Sequence, residues 1–165
     1  MSRLVEISWK VVTHPGAPPI TLTGTAEQVY AKLVEINANY DDDFKDIEPE
    51  LELQPTESLD KRKDTLVCEG ERYATTNRIQ EGISYLRKVK GEPQLSPYDC
   101  GRVSCSWHSA IVWCNDSPHS KTLPSFINIA EGAQVIVNGC DDDGLVKGWL
   151  DHTDRWRVVV HSVEC

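Results

Sequence analysis

Six cysteines, none before Cys68 and three between Cys100 and Cys114, constrain this 165-residue chain more than any other feature. An even set of cysteines packed into the last two thirds of a short chain reads as a disulfide framework in an oxidising compartment. The competing reading is a metal site, and zinc sites carry paired short spacings such as Cys-x2-Cys. The spacings here, Cys100-x4-Cys105 and Cys105-x8-Cys114, suit strands stapled to their neighbours instead. Disulfides are therefore expected at Cys68, Cys100, Cys105, Cys114, Cys140 and Cys165, with no metal and no cofactor. Six cysteines can pair in many ways, and spacing does not choose among them.

Charge divides the chain at the same place. Residues 1–62 hold 6 Lys+Arg against 12 Asp+Glu and residues 63–165 hold 11 against 14, nets of −6 and −3 that sum to −9. An acidic chain without a basic stripe does not suit nucleic acid, because phosphate contacts need clustered Lys and Arg. No stretch is apolar for long enough to span a bilayer. The opening residues also lack the apolar core of a signal peptide, so a secretory signal is expected outside the stretch given, with Met1 an added start.

Val5, Ile7, Trp9 and Val11 alternate with polar residues as in a half-buried strand. Thr25-Ala-Glu-Gln28 has the form of a capping box, and Ala26, Val29, Tyr30, Leu33 and Val34 follow at helical spacing. Asp41, Asp42 and Asp43 read as a solvated loop, and the stretch from Ile47 to Gln54 as a further strand. Asn77 and Gln80 predict the start of a second helix with Ile79, Ile83, Leu86 and Val89 inward, stopped by Gly91 and Pro93. Val103, Cys105 and Trp107 alternate inward on one strand, His108-Ser109 turns the chain, and residues 110–114 form a central strand apolar on both faces. Pro124 and Ser125 open a last helix whose face is Phe126, Ile129, Ala130, Ala133, Ile136 and Val137, with Asn138-Gly139 as a left-handed cap. Residues 141–144 read as a solvated turn, residues 145–150 as a short strand, and Trp156, Val158 and Val160 as the final one.

With Thr65-Leu-Val-Cys68 as its first strand, the cysteine-rich part reads strand, helix, strand, strand, helix, strand, with residues 145–150 as one extra strand, and this order predicts an α+β fold. The cysteine-rich part is then a disulfide-stapled α/β sandwich of split βαβ type, an antiparallel sheet with two helices on one face. Trp107, Trp113 and Trp156 are the expected core anchors, and three disulfides at roughly 2–4 kcal/mol each support a core that is marginal alone.

Leu59-Asp-Lys61-Arg62 falls where the cysteine-free and cysteine-rich parts meet, and Leu-x-Lys-Arg resembles the recognition sequence of kexin, the processing protease of the fungal secretory pathway. Two domains follow: residues 1–62 as an N-terminal propeptide with its own strand and amphipathic helix, and residues 63–165 as the mature cysteine-rich domain, with cleavage after Lys61-Arg62.

Three stretches carry a family resemblance: the seventeen residues from Cys100 to Asp116, the twelve that end at Cys140 and the ten that end at Cys165. Over residues 68–165 they look like the small cysteine-rich proteins that filamentous fungi secrete, many of them effectors of plant-associated species. The helix ending in Gly-Cys and the last strand ending in Cys are similar to the virus-encoded killer toxins of smut fungi. The resemblance implies an extracellular interaction protein or toxin that binds a host or competitor protein or membrane component; the chain is expected to be a monomer, with the strand and helix of its own propeptide packed on the mature domain. It carries over no catalytic residues.

A small secreted hydrolase such as a ribonuclease is the alternative. It would draw on His108, His119, His152 or His161, with Lys121 beside His119. Their spacing predicts no convergence, and the cysteines are committed to disulfides. Asn115-Asp-Ser117 is a glycosylation sequon followed by Pro118, expected on an exposed loop.

Overall fold

The computed structural model describes residues 3–44 and 64–165. The alternation from Val5 to Val11 is two strands: β1 (Arg3–Val5) and β2 (Ser8–Val11), which belong to different sheets. Ile7, Trp9 and Val11 are buried as the pattern requires, and β2 pairs with β3 (Ile20–Thr23). Helix α1 (Ala26–Ile36) carries the expected capping box, Gln28 N–H donating to Thr25 Oγ1 at 3.4 Å and Thr25 N–H to Gln28 Oε1 at 3.0 Å. The aspartates expected in a loop instead sit in the short helix α2 (Tyr40–Phe44), exposed, at the end where the helix dipole favours negative charge. The strand expected over residues 47–54 lies outside the described residues.

After β4 (Thr65–Val67) and β5 (Ala74–Thr75), helix α3 (Thr76–Lys88) buries Ile79, Ile83 and Leu86. It starts two residues earlier than Asn77 as a cap suggests, and Thr75 at its N-cap makes no side-chain cap bond. Gly91 and Pro93 do end the helix, but they then form β6 (Gly91–Leu95) between β2 and β9 (Lys121–Thr122). Pro93 is tolerated there because its carbonyl is the group in use, accepting from Leu123 N–H at 3.0 Å.

Strands β7 (Asp99–Ser106) and β8 (Ser109–Asn115) form the expected hairpin, and every residue of β8 is buried. Helix α4 (Ile127–Cys140) begins three residues after Pro124, and Ser125 Oγ accepts from Ile127 N–H. Asn138-Gly139 does not cap it. The helix runs on through Cys140, and Gly139 serves close packing, since a Cβ there would meet Leu66 Cδ2 at 2.5 Å. Then come β10 (Leu145–Val146), β11 (Gly148–His152) and β12 (Trp156–Ser162).

The main sheet runs β1-β7-β8-β12-β11-β4, antiparallel except for β1 beside β7. By this alternation β4 and β7 point the same way with α3 between them in sequence, and so do β8 and β11 with α4. Both units are therefore βαβ connections split by intervening strands, and the molecule is a disulfide-stabilised α+β fold. Ile111, Trp113, Leu150, Trp156, Val158 and Val160 join the helices in one core, while Cys100, Ala110, Val112 and Cys114 form a second cluster on the other face. Residues 3–44 belong to the first of these cores.

All six cysteines pair: Cys68 with Cys140, Cys100 with Cys114, and Cys105 with Cys165. Cys100 and Cys114 stand directly opposite in the β7–β8 register, 4.0 Å apart at Cα. Cys140 ties the end of α4 to β4, and Cys165 ties the last residue back to β7.

Candidate functional site

The clearest departure from the sequence pattern is Trp107. The inward alternation ends at Val103: a register shift between Arg102 and Ser104 leaves Cys105, expected inward, packed on the other face of the sheet, and the β7–β8 turn is Trp107-His108, one residue ahead of the expected position. Both turn residues have positive φ, 50° and 62°, as a two-residue type I′ turn demands. That geometry favours Asn-Gly, so a Trp-His pair holds strained backbone of a kind that clusters at functional sites. Trp107 is also 70% exposed, which makes it the most exposed large apolar side chain among the described residues.

The hairpin end is rigidly held. Val163 N–H donates to His108 O at 3.0 Å, Thr75 N–H to Ser109 Oγ at 3.0 Å, and the Cys105–Cys165 disulfide lies one residue inside β7. The Arg78 guanidinium, projecting from α3, sits 4.8 Å from the Trp107 ring centroid. Stacked tryptophan and arginine, held in place before any partner arrives, are the residue types that dominate binding energy at protein interfaces. This display can grip a partner without large conformational cost.

A second site lies between the first half of α4 and the end of the β11–β12 hairpin. It is a pocket of about 230 Å³ lined by Asp64, Asn128, Glu131, His152, Asp154 and Trp156, among others. The His152 ring stacks on Trp156 at 3.5 Å, and its Nε2 is 3.6 Å from Asp64 Oδ2. Burial lowers the His152 pKa below its ordinary value, against the pull of Asp64 and Asp154. A neutral imidazole beside a carboxylate can exchange protons. Among the described residues no Lys or Arg lines the pocket.

His152 and His161 share a direction of shift, His161 being lowered by burial and then by Arg102. Because the folded state resists protonating both rings, unfolded chain takes up more protons as pH falls through the ordinary histidine value. Stability is therefore expected to fall below about pH 6.5, by at most about 1.4 kcal/mol per pH unit for His152 and by less for the half-exposed His161, where solvent screens the effect. Denaturant titrations of wild type and His152→Gln between pH 7 and 5 check this, the variant having the shallower slope.

The structure does not bring the four candidate histidines together. His108 is at the hairpin tip and His119 is in the turn before β9. His161 pairs with Ala110 on the sheet face away from the helices, while His152 is in the pocket. Asn115, expected on an exposed loop, is fully buried. Its Nδ2 donates toward Leu95 O, Ser96 O and His119 O, and its Oδ1 accepts from Ser117 N–H. The folded protein has no room for a glycan there, and Asn115→Ala is expected to cost about 1–3 kcal/mol by orphaning these groups, measurable by urea unfolding. Lys61 and Arg62 lie outside the described residues.

Sequence reasoning missed Arg78 as the partner of Trp107, and missed Asp64, Glu131 and Asp154 as neighbours of His152. Only the unfavourable turn composition of Trp107-His108 carried a signal. Among the described residues no cluster of His, Cys, Asp or Glu could hold a metal ion, and no helix is long and apolar enough to cross a membrane. No protein-family model matches the chain, and neither does a curated protein or a solved structure.

Proposed function

We propose that the chain is a secreted interaction protein of the fungal effector or killer-toxin type. It would be made as a precursor, cleaved after Lys61-Arg62, and would bind a host or competitor target through the Trp107 hairpin tip. The carrying observation is the exposed Trp107 on a strained, disulfide-anchored turn with Arg78 stacked against it. Three disulfides, typical of extracellular proteins, support the compartment.

The test is the activity of purified Trp107→Ala on plant tissue and on competing fungi, beside wild type. Folding is expected to change little, because the side chain is exposed and its stacking on Arg78 is worth about 0.5–1 kcal/mol. Loss of cell-death or growth-inhibiting activity in a folded variant supports the reading. Full activity removes Trp107 from it.

A companion variant separates strain from binding. Trp107-His108→Asn-Gly is expected to stabilise the fold by about 1–2 kcal/mol, because Asn-Gly adopts this turn without strain. It should be as inactive as Trp107→Ala. Thermal unfolding and the same activity assay check both halves.

The His152–Asp64 pair favours one second reading, a small hydrolase that acts on an uncharged or cationic substrate. Activity on general polymer substrates that disappears in His152→Gln would establish it.

A further inference from the structure

We propose that residues 1–62 do not leave after processing: they stay bound to residues 63–165 as the second chain of a non-covalent two-chain protein. This rests on the cleavage reading above and goes beyond it. The argument comes from how the two parts are built into each other.

Strand β2 lies inside its sheet, bonded to β3 on one side and to β6 on the other, with Ser8 to Val11 opposite Gln94 to Gly91. Strand β1 completes the main sheet beside β7. Removing residues 3–44 would bare the edges of both β6 and β7, and unpaired strand edges are sites of aggregation.

Side chains interlock as well. Trp9 is fully buried and stacks on Phe126 at 3.6 Å between ring centroids, with its Nε1 satisfied by Gly24 O at 2.7 Å. Ile7 fills the space over Gly101, where a Cβ would meet Ile7 Cγ1 at 2.0 Å. Tyr30 packs edge-on against Tyr85, and Tyr40 OH accepts from Lys90 N–H at 2.8 Å. Ser104 Oγ donates to Glu27 Oε2 at 2.6 Å. Release would expose Phe126, Leu95 and Val103, which are buried in the joint core.

Charge does not hold the parts together, since both carry net negative charge, −6 and −3 by the counts above. No cysteine precedes Cys68, so no disulfide links them either. The association is apolar and strand-paired, and salt, which screens the repulsion between two negative parts, does not weaken it. A target would meet both chains, and the surface of residues 3–44 would be part of the mature protein.

The experiment nicks the folded full-length protein with a kexin-type protease. A site-specific protease and its recognition sequence in place of residues 59–62 serve if the natural site is not cut. The nicked sample then passes through gel filtration at micromolar concentration in 0.1 M and 1 M salt. Both chains are expected in a single peak at the intact size at either salt, separating only in denaturant without reductant. Trp9→Ala is expected to weaken the association of the nicked chains at least about a hundredfold. Separation of the wild-type chains under native conditions, whether the larger one stays folded or aggregates, would overturn the proposal. The processing reading fails independently if the secreted protein retains an uncut chain through residue 62.

Discussion

Trp9→Ala is expected to lower the unfolding free energy by about 3–5 kcal/mol, a large part of what a domain of this size has. The indole is fully buried at the contact between β2 and the start of α4, and its removal leaves Phe126 facing a cavity. The freed Gly24 carbonyl adds to the cost because its partner is gone. Trp9→Phe should recover much of the loss by keeping an aromatic ring on Phe126. Urea unfolding of the intact chain checks the ranking, wild type above Trp9→Phe above Trp9→Ala. Equal midpoints would mean that residues 3–44 contribute little to the core.

The second large effect concerns the Cys68–Cys140 disulfide, which closes a loop with a sequence separation of 72. Chain-entropy arguments assign a loop of that length about 4 kcal/mol, against about 3 kcal/mol for the separation of 14 at Cys100–Cys114. Cys68→Ala with Cys140→Ala also unties α4 from β4, where Gly139 packs closely on Leu66. Cys100→Ala with Cys114→Ala removes a bridge between strands already paired by their ladder. The first double variant should therefore melt at the lower temperature. The reverse order would show that local sheet geometry outweighs loop closure.

The helices were legible because their signals are local. Thr25 and Gln28 cap α1 as read, and the buried stripes of α3 and α4 follow from spacing alone. The split βαβ order was legible for the same reason, since alternation and helix periods mark each element in turn. What failed depended on distant partners. Pro93 reads as a helix stop, and only β2 and β9 on either side turn it into a strand residue. Val5 and Ile7 look like neighbours on one strand, yet the chain switches sheets between them. Trp107 continues an inward alternation in sequence, and the turn that exposes it uses residues that rarely adopt positive φ. Asn115 satisfies a surface sequon while its amide joins three backbone carbonyls of the interior.

The candidate sites were less legible than the fold. His152, Asp64, Glu131 and Asp154 come from β11, the start of the second described segment, α4 and a hairpin turn, and no spacing rule links them. Arg78 and Trp107 stand 29 positions apart in the numbering, and α3 must lie against the β7–β8 hairpin before they meet. The disulfide pairing likewise needed the strand register that sets Cys100 opposite Cys114.

Intact mass spectrometry of the naturally produced protein, sought in the culture medium and measured with and without alkylation and denaturation, tests the central claim most directly. The account predicts no alkylation before reduction, a mass lower by six hydrogens, no glycan, no bound metal, and a cysteine-rich chain starting at Lys63. Free thiols, bound zinc, or absence of the protein from the culture medium would contradict it.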